Sequence, residues 1–188
     1  TVSIREDGVK ELHVVFGGSG AVDDFCFAPT PPVEEPPEQC DALSIGFWRN
    51  HFGCSQGSGS SLFAEEVNEL SSSFSGVFET YTGEQICENL WVPNCPGGNS
   101  VEAASCKAQA VALADLLNIV SNHLILEALL AGADDGSDSF DNLGLTSTST
   151  VQEALAAIEA ILADDTSSVE NIKDAANVAE RIYAFYED

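Results

Sequence analysis

The sequence is poor in basic residues and contains no Met. It has six Lys and Arg against 31 Asp and Glu among 188 residues, a formal net charge of −25. Such a surface repels phosphate backbones and anionic membranes, so nucleic acid is not expected as a partner. Because the chain begins at Thr1 and has no Met, we expect a secretory signal peptide to have been removed.

Transmembrane and hydrolase signatures are also lacking. The most apolar stretch, residues 111–130, is interrupted by Asp115, Asn118, Asn122, His123 and Glu127, so no membrane span is expected. The motifs G-x-S-x-G and H-E-x-x-H are absent, and no two His lie within four residues of each other. We therefore predict that the chain is not an enzyme and requires no cofactor.

The cysteines indicate disulfides rather than zinc ligation, because no C-x₂-C pair is present. The six residues, an even number, are Cys26, Cys40, Cys54, Cys87, Cys95 and Cys106. Three disulfides in an exported protein are predicted. The pairing stays open, although the short spacings favour local pairs among the last three cysteines.

Residues 1–17 alternate apolar and polar side chains, as a β-strand does. Asp7-Gly8 is a type I′ turn signal, so this arm is predicted to be either a hairpin or one long extended strand. An arm of this kind can complete a neighbour's sheet by strand addition. The predicted assembly residues are Val2, Ile4, Leu12, Val14 and Phe16.

A Gly/Pro-rich linker, residues 18–45, separates the arm from a mainly helical domain at residues 46–188. Helices are expected near residues 62–70 and 83–90, and from residue 101 to about 130. Capping boxes at residues 150–153 and 167–170 predict two further helices, which end near residues 163 and 186. The predicted class is α+β, a mainly helical, disulfide-braced domain with an extended N-terminal β-strand or hairpin arm.

The stretch GFWRNHFGC, residues 46–54, concentrates aromatic, basic and amide side chains. Arg49 and His51 are the candidates for a catalytic pair, but no nucleophile motif accompanies them. A structural knot, with aromatic anchors and polar side chains satisfying loop backbone groups, explains the same residues. The residues assigned to this knot are Gly46, Phe47, Trp48, Arg49, Asn50 and His51. His123 is interpreted as a satisfied interior polar residue.

The acidic loop at residues 132–142 is a candidate calcium site, since hard carboxylate oxygens suit that ion. Its candidate ligands are Asp134, Asp135, Asp138 and Asp141. The loop fails the EF-hand template, because Ala131 would stand at its first position. A solvated loop between helices is the alternative.

The sequence SIGFWRNH, residues 44–51, resembles the Gly-Tyr-Trp-Lys-Asn-His motif of a domain of uncharacterised function in secreted or surface proteins of bacteria and archaea. Phe47 replaces Tyr, Arg49 replaces Lys, and the Pro and Trp that often follow the His are missing. Residues 81–90 and 108–119 are similar to the family's Gly-Tyr-type turn and its helix rich in Ala, Gln and Leu, and the last two helices are similar to its closing pattern. The resemblance covers residues 43–188. It implies export and a cell-surface or extracellular role, with no catalytic residues to transfer.

Three functional hypotheses follow from these features. The first is a structural subunit of an extracellular, pilus-like filament, a homopolymer assembled head-to-tail through the N-terminal arm. The second is a cell-surface adhesion or binding module, with calcium as a candidate stabilising ion. The third is a secreted enzyme centred on Arg49 and His51.

Overall fold

The computed structural model describes residues 41–51, 63–134 and 136–186 of the chain. Seven α-helices and one 3₁₀ turn (Val92–Asn94) form this part. The helices are α1 (Ile45–His51), α2 (Ala64–Ser72), α3 (Gly83–Leu90), α4 (Val101–Val120), α5 (Asp138–Asn142), α6 (Val151–Ala163) and α7 (Val169–Tyr186).

The predicted α+β class is wrong. The described ranges contain no β-strand, and their only β-type pairing is an isolated antiparallel bridge between Leu129 and Thr150. The physical reason is the spacing of the apolar residues, which recur every three or four positions and so place an apolar stripe along helices such as α3 and α7. The strand interpretation depended on residues 1–17, which lie outside the described residues.

Helix α4 is the centre of the fold and packs most extensively against α7. It buries Leu113, Leu116 and Leu117 completely, together with several alanines whose small side chains permit close helix approach. Helices α1, α2, α3 and α6 surround it. By length and composition alone α4 would pass as a membrane span, but more than half of its residues are buried inside the fold, as in a core helix.

Helix α4 ends ten residues before the predicted position. The hydroxyl of Ser121 donates to the carbonyl oxygen of Leu117, and Asn122 adopts a left-handed backbone with φ of 65°. Asn is among the few residues that tolerate this conformation, which ends a helix. The apolar residues that follow, including Leu124 and Leu130, lie in a non-helical segment, and their side chains are buried in the core.

The starts of α3, α4, α6 and α7 follow the capping chemistry of the sequence. Thr82 with Gln85 and Thr150 with Glu153 form complete capping boxes at α3 and α6. For α7 the predicted capping residue, Ser167, is wrong by one position. The hydroxyl oxygen of Ser168 accepts the hydrogen bond from the backbone amide of Asn171. Ser167 instead donates its hydroxyl to the carbonyl of Ile161 and so ties the α6–α7 turn.

A disulfide between Cys95 and Cys106 joins the 3₁₀ turn to the second turn of α4. Cys87 is also disulfide-bonded, and none of the described cysteines is free. The other predicted disulfide residues, Cys26, Cys40 and Cys54, lie outside the described residues. The bridge closes a short loop, so it fixes the segment between α3 and α4 against the core.

Candidate functional site

Asn118 of α4 ties the start of the domain to its central helix. Its Oδ1 accepts hydrogen bonds from the backbone amide of Leu43, at 2.8 Å, and from Nε1 of Trp48, at 3.2 Å. Its Nδ2 donates to the carbonyl of Leu43 at 2.9 Å. Asn118 itself is fully buried, so these three bonds satisfy a polar group that would otherwise be costly inside the core.

Trp48 is the apolar anchor of the same contact. It is almost completely buried and makes edge-to-face contacts with Phe47, Phe63 and His123, at ring-centroid distances of 5.4, 6.3 and 6.4 Å. This geometry matches the favourable arrangement of aromatic quadrupoles. The indole of the sequence motif therefore holds α1 against α4.

The basic and polar members of the motif lie around this anchor. The guanidinium carbon of Arg49 lies 4.6 Å from the centroid of the Trp91 ring, a cation–π contact that joins α1 to the end of α3. Asn50 is exposed, and Gly46 is half-buried in the first turn of α1. His51 is the last residue of α1, and its side chain lies outside the described part.

His123 has the structural role that the sequence indicates. Its Nδ1 lies 2.8 Å from the carbonyl oxygen of Asp41 and donates to it, which fixes the tautomer with the proton on Nδ1. The ring is buried beside Trp48. Both Asn118 and His123 therefore bind the backbone of the segment that precedes α1.

The last turn of α7 holds the same segment from the other side. The amide of Ala42 donates to the carbonyl of Tyr186 at 2.7 Å, and the Tyr186 hydroxyl donates to the carbonyl of Leu129 at 2.7 Å. Phe185 packs directly on Gly132, where an added Cβ would lie only 1.8 Å from its ring. Leu129 and Phe185 remain about half exposed (53% and 50%), an apolar patch beside the attachment point of the N-terminal segment.

A groove of about 490 Å³ runs between α4 and α7. Its apolar lining includes Ala103, Ala104, Val111 and Ala176, with Ile45 of the motif helix at one side. The polar lining residues are Asn99, Ser100, Lys107, Lys173, Asn177, Glu180 and Tyr183. A concave surface that combines apolar and polar side chains in this way is suited to binding a peptide or small molecule.

The cations of this groove are unusual for so acidic a chain. Of the six Lys and Arg in the sequence, four lie in the described ranges, and two of these, Lys107 and Lys173, line the groove. The ammonium of Lys173 donates to Oδ1 of Asn99, which joins α7 to the segment before α4. Glu180 is the one acidic residue in the lining. The groove lining therefore has more basic than acidic residues, in contrast to the strongly acidic chain as a whole.

Two carboxyl groups lie in the core. Asp115 of α4 is fully buried, neither of its oxygens has a hydrogen-bond partner, and burial raises its pKa well above 3.8. Glu159 of α6 accepts from the hydroxyl of Ser71 and the amide of Val77, at 3.0 and 3.2 Å. Burial raises the pKa of Glu159, while these hydrogen bonds oppose the rise. Glu159 holds the loop after α2 against α6. Burial of Asp115 disfavours its charged form.

The predicted calcium ligands are divided between a turn and a helix. Oδ1 of Asp134 accepts the amide of Gly136 at 2.9 Å, whereas Asp138 and Asp141 belong to α5. Asp135 lies outside the described residues. Within the described ranges, no group of three or more His, Cys, Asp or Glu side chains is arranged to hold a metal ion.

Sequence reasoning did not identify Asn118, Lys107 or Lys173 as functional or organising residues. The available signal for Asn118 was an amide side chain among the apolar residues in the second half of the helix. The two lysines are 66 positions apart, and only the packing of α4 against α7 brings them to one groove. The predicted arm residues Val2, Ile4, Leu12, Val14 and Phe16 lie outside the described residues.

Comparisons with known proteins give no homologue. No family model matches the chain, and no curated protein or solved structure is significantly similar to it.

Proposed function

We propose that the chain is a structural subunit of an extracellular, pilus-like filament, in which residues 1–17 of one copy contact the domain of the next. The observation that carries this proposal is the anchorage of the segment from which residues 1–40 extend. Asp41, Ala42 and Leu43 are hydrogen-bonded to His123, Tyr186 and Asn118 in turn. The segment is thus attached to the central helix and to the last helix.

Such an anchorage is what a head-to-tail assembly requires mechanically. If residues 1–17 bind a neighbouring copy, a tensile force along the filament is transmitted to the domain through residues 41–43. Hydrogen bonds to α4 and α7, the two helices with the most extensive mutual packing, distribute that load to the core. The half-exposed Leu129 and Phe185 lie beside the same point and offer apolar surface for a contact between copies.

Electron microscopy of the mature chain, purified without reductant, tests the proposal. We expect fibres of uniform width from the unmodified protein. The variant Leu12→Ser/Val14→Ser/Phe16→Ser should remain folded by circular dichroism but monomeric by sedimentation. Its matched control is Glu11→Ser/His13→Ser/Val15→Ser, which alters the opposite face of the same segment and should still assemble.

Two results would contradict the filament. One is assembly by both variants to the same extent as the unmodified chain, since residues 1–17 would then not form the contact. The other is a dispersed monomer at high concentration, with and without calcium. That second result would favour the surface adhesion or binding module.

A further inference from the structure

We infer that the groove between α4 and α7 binds the acidic, Pro-rich segment of the same chain, residues 21–40, and in particular Glu34 and Glu35. The inference concerns the chain's own N-terminal segment and does not require that copies assemble. It is derived from the charge of the groove, its apolar lining and the position at which the segment joins the domain.

The chemistry of the two partners is complementary. Residues 21–40 contain five Asp and Glu and no basic residue, whereas the groove contains Lys107 and Lys173. Ion pairs at such a partly exposed site contribute only about 0.2–1 kcal/mol each, so apolar contact must supply most of the binding free energy. In the segment, Phe25, Phe27 and Val33 are the apolar side chains that can contact the alanines of the lining. Ion pairs between its glutamates and the two lysines would then determine the direction in which the segment lies.

The attachment point determines which acidic residues reach the lysines. The amide of Ala42 is bound to Tyr186 at the end of α7, and Lys173 lies 13 residues earlier on that helix, about 20 Å away at 1.5 Å per residue. A polyproline-type chain advances about 3.1 Å per residue, so the eight residues back to Glu34 span about 25 Å. A segment antiparallel to α7 therefore brings Glu34 and Glu35 to Lys173.

The attachment point lies beside the groove. Ile45, three residues after Ala42, lines the groove, as does Tyr183, one turn before Tyr186. Aromatic side chains in a groove are typical of sites that accept Pro-rich segments. Glu180 lies along this path and would repel Glu38, so we expect Glu34 and Glu35, rather than Glu38, to be the acidic partners. Because the segment is joined to the domain, its effective concentration at the groove is high, which favours the same chain over a second copy.

Zero-length carbodiimide coupling tests this directly, since it joins a Lys amine to a carboxyl group only when the two are in contact. The unmodified full chain would be coupled as an equal mixture of ¹⁴N and ¹⁵N protein and analysed by mass spectrometry. We expect Lys173 or Lys107 joined to Glu34 or Glu35, with both peptides carrying the same isotope. Absence of these products, or products of which about half carry mixed isotopes, would overturn the inference. Coupling between copies pairs the two isotopes at random, so the second pattern would assign the groove to a second copy.

Proteolysis after glutamate gives an independent measurement. If the segment occupies the groove, Lys107→Glu/Lys173→Glu should accelerate cleavage after Glu34 roughly fivefold, the effect expected from losing two partly exposed ion pairs. The matched control Lys107→Arg/Lys173→Arg retains both charges and should be cleaved at the rate of the unmodified chain. Equal rates for all three proteins would contradict the binding.

Discussion

Replacement of Asn118 by Ala removes the contact between α4 and the segment before α1. The change eliminates three hydrogen bonds, from Leu43 and Trp48 to Oδ1 and from Nδ2 to Leu43. Each contributes about 1 kcal/mol net, which gives a loss of about 3 kcal/mol in the free energy of unfolding. Nε1 of the buried Trp48 is left without a hydrogen-bond partner, which increases the loss. Water can bind the backbone of the partly buried Leu43, which decreases the loss.

Urea unfolding without reductant, followed by circular dichroism, measures this loss, and the slope of free energy against urea should stay constant. The matched control is Asn142→Ala, which removes one bond to Asp174 from an exposed Asn and should cost less than about 1 kcal/mol. A double-mutant cycle with Trp48→Phe should give a coupling of about 1 kcal/mol for the shared bond. A loss for Asn118→Ala no larger than that of the control would refute the structural role assigned to Asn118.

Three further predictions concern pH, the disulfide and calcium. Because burial raises the pKa of Asp115, the native state keeps this proton to higher pH than the unfolded chain, which releases it near pH 4. Asp115 therefore lowers stability as pH rises above about 4, by at most about 1.4 kcal/mol per unit. Asp115→Asn should be increasingly stabilised relative to the unmodified chain between pH 4 and 7 in urea titrations; a constant difference would contradict an elevated pKa. Cys95→Ser/Cys106→Ser should lose about 3 kcal/mol, the chain-entropy value for so short a loop, and an unchanged urea midpoint would contradict that account. If Asp134, Asp138 and Asp141 bind calcium, tenfold excess over the dissociation constant should add about 1.4 kcal/mol and raise the melting temperature, whereas identical melting curves with calcium and chelator would remove calcium as a ligand.

The parts of the fold that the sequence predicted best are those determined by local chemistry. The start of α6 was predicted from its capping box, in which side chains and amides a few positions apart satisfy one another, and the start of α3 has a box of the same kind. The end of α4 was predicted ten residues too late, because the apolar residues continue past Ser121 and Asn122. Composition alone does not distinguish a buried loop from a buried helix.

Other features depend on contacts between distant parts of the chain. Helix α1 contains Gly, Phe and Trp rather than strong helix formers, so its sequence gives little local indication of a helix. It is stabilised by the burial of Trp48 and by Asn118, which lies 70 positions later. The groove likewise depends on the packing of α4 against α7, and this could not be inferred from the spacing of Lys107 and Lys173.

The hydrogen bond between Ala42 and Tyr186 places the two ends of the helical domain side by side. A domain closed in this way suits circular permutation, because a short linker can join residues 186 and 42 without distorting the helices. New ends could be opened in the exposed turn at residues 146–148, between α5 and α6. The same closure allows the domain to be inserted into a surface loop of another protein, because its two ends are close enough together to replace a hairpin turn.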